Sequence, residues 1–299
     1  MQPAQLFIDK DTFWEVMDAM VASALSAAVL GMEVWPIHVE VDIGDGLPYF
    51  VMVGFPSAQV KEAQDRVRTA LKNNGFGLPA ARITVNFAPA DIRKEGARYD
   101  LPLAAAILAA SGFLPGSCLA DVMILGELGL TGEVYATTGI LPGVMKAREL
   151  GCRFCIVPSQ NLEEAMLVPE IRSYGVATIG EMAQCLREPE AFGRSRGTGK
   201  GNASGKEGKP PAALPDFLEI RGQKTARRAA EIAAGGFHNF LMVGPPGSGK
   251  TMIACRLPGI LPELTYEERL KVTRVYSIAG LLSQEDPLVN ERPDRKSVV

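Results

Sequence analysis

At 299 residues the chain has room for about two domains at the usual ~150 residues each. Hydrophobic residues make up 47% and charged residues 22%, the balance of an ordinary globular protein. A formal net charge of -3 supplies no global positive field for nucleic acid, which leaves only a local patch or a ring of subunits for that purpose.

Residues 19–32 are apolar for about 14 positions, short of the ~20 needed to span a bilayer. Glu15 and Asp18 stand where a signal peptide would be basic, so no leader is expected and the cytoplasm is the default location. Residues 34–43 and 49–53 read as strands around the turn Gly44-Asp45-Gly46. Ser57 can cap a helix whose Val60, Ala63, Val67, Ala70 and Leu71 share one face, with Asn73-Asn74-Gly75 as its stop. Ile83, Val85 and Phe87 alternate in the next strand. Then come an apolar helix over 101–110 closed by Gly112, a buried strand over 122–125, a helix from Pro142 to Gly151 and a strand over 154–157. Asn161 with Glu164 resembles a capping box. Mixed strands and helices around one core make an α/β domain over 25–190, preceded by a variable extension over 1–24.

The cysteines Cys118, Cys152, Cys155, Cys185 and Cys255 are odd in number and scattered through apolar stretches, unlike a secreted disulfide framework. Cys152 and Cys155 form a CxxC without a second ligand pair at zinc spacing, and they read as buried structural cysteines. Lys61, Arg66, Arg68 and Lys72 lie on one helix among Glu62 and Asp65, a pattern of a solvated, salt-bridged face. Arg93, Lys94 and Arg98 form a second basic group in a loop, a candidate contact for DNA or a neighbouring subunit. His38 and His238 are isolated and take no catalytic role.

Residues 191–213 are rich in Gly, Ser, Lys and Pro with almost nothing to bury, so they read as a flexible linker. Beyond it, residues 217–223 (FLEIRGQ) precede a helix over 224–234 whose Ala226, Ala229, Ala230 and Ala233 form a small, packable face. Residues 240–243 (FLMV) read as a short strand, and GPPGSGKT follows at once before a helix-compatible run. This is GxxxxGK[ST] in the context that the motif requires. Gly244, Pro245, Pro246, Gly247, Ser248, Gly249, Lys250 and Thr251 are therefore the candidate phosphate-binding residues. The glycines let backbone N–H groups converge on phosphate oxygens. Lys250 is placed to reach the β- and γ-phosphates of ATP, and Thr251 to give its hydroxyl to Mg2+.

Five segments, in order, resemble the YifB/ComM family of magnesium-chelatase-like AAA+ proteins. They are residues 46–71 (GLPYFVMVGFPSAQVKEAQDRVRTAL), 82–104 (RITVNFAPADIRKEGARYDLPLA), 126–134 (GELGLTGEV), 231–251 (EIAAGGFHNFLMVGPPGSGKT) and 256–268 (RLPGILPELTYEE). The resemblance implies a Lon-protease-like α+β amino-terminal domain over 25–190, followed over 214–299 by the start of an AAA+ P-loop α/β domain. It further implies binding of ATP and Mg2+, a hexameric homo-oligomeric ring, and ATP-driven DNA branch migration in natural transformation, with no membrane partner. An ATP-dependent Lon-type protease is the alternative, but a Ser–Lys dyad is not matched. Arg98 falls at the serine, residues 140–144 contain no lysine, and Lys146 reads as a solvated helix residue. A non-catalytic scaffold that keeps only the Lon-like domain is a further alternative. Magnesium chelation would require a porphyrin-binding partner subunit that nothing in the chain suggests.

Walker B, sensor and arginine-finger residues of that family would lie beyond the end of this chain, so no residue here is assigned as catalytic. The family pattern breaks at Asp294, which suggests a truncated form, and Met20 is a plausible alternative start.

Overall fold

The computed structural model describes residues 21–196, 216–283, 287–290 and 292. The alternative start at Met20, most of the expected linker and the pattern break at Asp294 lie outside the described residues. The described residues fall into two compact units, one of residues 21–196 with 274–283 and 287, and one of residues 216–273 with 288–290 and 292.

The first unit is built on a mixed seven-stranded sheet. Its strands are β1 (Val21–Leu30), β2 (Glu33–Gly44), β3 (Tyr49–Val53), β4 (Arg82–Ala88), β5 (Val122–Ile124), β8 (Phe154–Pro158) and β9 (Arg172–Val176), and their order is β3-β4-β2-β1-β5-β8-β9. β6 (Glu127–Leu128) and β7 (Val134–Tyr135) form a separate pair. β1 and β2 form an antiparallel hairpin through a turn at Gly31, and β2 pairs antiparallel with β4. The remaining ladders of the large sheet are parallel, so most of its strands run in a mixed α/β manner. Parallel neighbours need a crossover. The helix α1 (Ala58–Asn73) makes it from β3 to β4, and α3 (Ile140–Glu149) makes it from β5 to β8.

Helix α1 follows directly from its sequence pattern. The Ser57 hydroxyl accepts from the Val60 amide at 3.4 Å, and Asn74 closes the other end. Val60, Ala63, Val67, Ala70 and Leu71 are all buried against the sheet. Burial contributes about 1.5–3 kcal/mol for each of the larger side chains. Helix α2 (Asp100–Ala110) is apolar all round and sits inside the core, as such a helix must. Its first residue carries the charge that the sequence left unremarked. Asp100 is fully buried and accepts two hydrogen bonds from Arg66, at 2.8 and 3.0 Å, and one from the Leu128 amide at 3.4 Å. Burial pushes the Asp100 carboxyl up, against the opposing pull of the Arg66 guanidinium.

Two expectations need correction. The helix expected from Pro142 to Gly151 begins two residues earlier, at Ile140, because Gly139 in a left-handed conformation opens it. Asn161 and Glu164 do not form a capping box. They lie at α4 (Leu162–Ala165), where the Asn161 side chain makes no cap bond to the helix backbone; it bridges the Thr137 backbone and donates to the Glu164 carboxylate at 3.0 Å, while Glu164 turns inward. Buried Glu164 caps α3 from a distance, accepting from the Leu141 amide at 2.8 Å and from the Ser277 hydroxyl at 2.5 Å. The remaining helices of this unit are α5 (Ile179–Arg187) and α6 (Pro189–Arg196), the latter continuing past residue 190. Among the described residues, no helix is long and apolar enough to cross a membrane.

The corner after β3 is held by a buried cation. The Lys94 side chain is fully buried, and its ammonium donates to the carbonyls of Gly54, at 2.8 Å, and Pro89. Gly54 has φ +91, and a Cβ there would sit 2.2 Å from the Phe87 carbonyl oxygen, so the crossing requires glycine. Replacing Lys94 with Met leaves two carbonyls without their donor and should lower stability by about 2–4 kcal/mol. Replacing Asp100 with Ala leaves half-buried Arg66 with exposed Glu62 and the Gln59 carbonyl, removes the acceptor of the Leu128 amide, and should cost about 1–3 kcal/mol. Urea unfolding of each variant against the parent chain measures both losses.

Candidate functional site

The second unit holds the loop that the motif singles out. Its small core joins Phe217, Ile220, Ala230 and Ile253, with Phe240, Met242, Leu257 and Ile260 packed against them. Helix α7 (Lys224–Gly235) presents Ala230, Ala233 and Ala234 as its buried face. Helix α8 (Lys250–Arg256) follows the loop, and its Arg256 pairs with Glu219. Helix α9 (Tyr266–Ala279) comes after a short 3-10 turn and belongs to this unit as far as Thr273, its residues from Arg274 on being part of the first.

The expected strand over residues 240–243 is not one among the described residues. Its burial alternates as a strand's would, with Phe240 and Met242 on the core and Leu241 and Val243 exposed at 86% and 88%. A strand is defined by a ladder, and here no described neighbour pairs with it.

Within the loop itself, Gly247 and Gly249 take positive φ, +79 and +82. Nothing lies within 4 Å of a Cβ placed at either, so their need for glycine is conformational rather than steric. The Lys250 ammonium is folded over the loop. It donates to the carbonyls of Gly244 at 2.8 Å and Pro245 at 2.7 Å, and to the Ser248 hydroxyl at 3.1 Å. Ser248 in turn donates to the Pro245 carbonyl at 2.9 Å. Pro246 lies in the turn, and Thr251 stands exposed one residue into α8. The Gln223 side chain reaches the Ser248 carbonyl at 3.4 Å, linking the segment before α7 to the loop. The motif alone did not point to Gln223.

The loop expected to be a basic cluster in the first unit is dispersed. Arg93 is exposed and pairs with Glu95 at 3.0 Å, Lys94 is buried, and half-buried Arg98 donates to the Thr138 carbonyl at 3.1 Å. Burial pushes the pKa of both Lys94 and Arg98 down. Lys146 pairs with Glu149 at 3.0 Å. On α1, Arg66 is taken up by Glu62 and Asp100, while Lys61, Arg68 and Lys72 face solvent. Cys155 is buried in β8, where desolvation pushes its thiol well up, and Cys152 is half-buried. Among the described residues no cluster of three or more His, Cys, Asp or Glu side chains could hold a metal ion.

A family model described as subunit ChlI of Mg-chelatase matches residues 39–161, and one described as magnesium chelatase, subunit ChlI, matches residues 216–297. The chain is 43% identical to competence protein ComM of Haemophilus influenzae over 257 residues, 86% of this chain and 50% of that protein. It is 40% identical to the uncharacterized protein YifB of Escherichia coli K12 over 253 residues, 85% of this chain and 48% of that protein. The chain thus spans about half the length of these curated relatives. It is also similar to Lon protease 2 of Thermus thermophilus, 27% identical over 141 residues, 45% of this chain and 17% of that protein. With both family models in order along the sequence and these identities across most of its length, the chain belongs to the YifB/ComM family of magnesium-chelatase-like proteins.

Proposed function

We propose that residues 244–251 hold the triphosphate of ATP, with Lys250 on the β- and γ-phosphates and the Thr251 hydroxyl as a ligand of Mg2+. The observation that carries this reading is the Lys250 ammonium held 2.7–2.8 Å from the carbonyls of its own loop. An ammonium has three rotatable donors, so it can exchange carbonyl partners for phosphate oxygens without moving its backbone. The donor set fits the group. Two glycines at positive φ allow successive amides to turn towards one point, and the loop runs directly into α8. Magnesium, when bound, would draw off phosphate charge, and the residue offered to it here is a neutral hydroxyl.

In this reading the second unit is the beginning of an AAA+ P-loop domain over 214–299, and the first is a Lon-protease-like domain over 25–190. The likeness to a Lon protease supports the latter. Arg98 at the expected nucleophile position, spent on the Thr138 carbonyl, favours a structural or partner-binding role over peptide hydrolysis. The DNA role of the whole protein is carried from the family resemblance, and the Haemophilus relative is a competence protein by name. We infer a cytoplasmic, ATP-driven machine that remodels or branch-migrates DNA as a hexameric ring.

Calorimetric titration with MgATP tests the site. The parent chain should bind, and Lys250→Ala should weaken binding roughly 10–100-fold through loss of charge-assisted hydrogen bonds. Equal affinity in the two chains would move the nucleotide away from this loop, and no binding by the parent chain would favour a scaffold.

A further inference from the structure

Among the described residues β3 and β9 are the two edge strands of the large sheet, and β3 carries neither a charge nor a proline within Tyr49–Val53. From Gly46 to Pro56 there is no charged residue. Phe50 and Met52 turn to the core, which sends Tyr49, Val51 and Val53 to the opposite face by alternation. Tyr49 is 67% exposed, and beyond the strand's two ends stand Leu47 at 88% and Phe55 at 59%.

Phe55 is not loosely placed. It has φ +59, uncommon for a bulky residue, and it is held there by its neighbours. The Lys94 amide donates to its carbonyl at 3.4 Å, the Ser57 amide donates to the Lys94 carbonyl at 3.0 Å, and the Lys94 ammonium fixes the carbonyl of Gly54. A buried cation thus supports an exposed aromatic ring.

We propose that this edge is a self-association surface, on which β3 of a second copy pairs antiparallel about a two-fold axis at Val51. The strand is self-complementary in that register. Tyr49 falls opposite Val53, an aromatic with a β-branched side chain, Phe50 opposite Met52, and Val51 opposite itself. Leu47 and Phe55 then approach from opposite ends. The same axis carries exposed Asp45 towards the end where Lys61 and Arg93 of the second copy lie, Arg93 being shared with Glu95. An uncharged centre with opposite charges at its ends suits a second copy better than an acidic or basic partner. Such a contact is isologous, so it would join two protomers or two rings and differs from the head-to-tail contact that closes a ring.

A strand pair with its flanking side chains buries less than the ~800 Å² per partner of a standard interface, so the dimer should be weak, on the order of 10 µM or weaker. Sedimentation equilibrium of the full chain without nucleotide, from about 1 to about 500 µM, spans that range. The parent chain should pass from monomer to dimer. Val51→Lys and Val51→Asp, each confirmed folded by circular dichroism, should each stay monomeric over at least a tenfold higher concentration. Mixed together they should regain the dimer, because lysine then faces aspartate. Tyr49→Lys, at a more exposed position, repeats the test should either Val51 variant fail to fold. A monomeric parent chain at every concentration overturns the proposal. So does a Val51→Lys or Tyr49→Lys chain that dimerises like the parent, or a mixture no more associated than its components.

Discussion

A buried main-chain carbonyl or amide that no main-chain partner reaches needs another one, and in this protein charged side chains supply it. Lys94 closes the carbonyls of Gly54 and Pro89, Glu164 takes the Leu141 amide at the start of α3, and Asp100 takes the Leu128 amide. The arrangement recurs at the candidate nucleotide site, where Lys250 closes the carbonyls of Gly244 and Pro245. The difference is exposure. Lys94 is sealed inside and cannot change partners, whereas the Lys250 site opens to solvent and can exchange a carbonyl for a phosphate. One type of contact thus serves structure in one unit and ligand capture in the other.

What the sequence made legible were the patterns that depend on one element alone. The period of α1 and the alternation of Ile83, Val85 and Phe87 match the buried residues one for one, since each records which face meets the core. The glycines of GPPGSGKT likewise state a backbone requirement, and Gly247 and Gly249 meet it with positive φ. What the sequence hid were long-range pairings. Arg93, Lys94 and Arg98 read as one basic patch, but Lys94 turns inward because two carbonyls wait for it there. Asn161 and Glu164 have capping-box spacing, yet they meet side chain to side chain, because the Leu141 amide and the Ser277 hydroxyl, remote in sequence, claim the other carboxylate oxygen.

β1 was missed for a related reason. Its VASALSAAVL is rich in Ala and Ser, which lack the β-branched signal of a strand, and pairing with β2 along its whole length decides the matter. The reverse happened at residues 240–243. FLMV has strand composition, but composition does not provide a neighbour, and Leu241 and Val243 remain exposed.

Binding of nucleotide at the loop of residues 244–251 is tested most directly by hydrogen–deuterium exchange with and without MgATP. Protection should concentrate on the amides of 244–251 and the start of α8, with a smaller effect at Gln223, whose side chain already touches the loop. Exchange unchanged there while another surface becomes protected would place the nucleotide elsewhere and contradict the account.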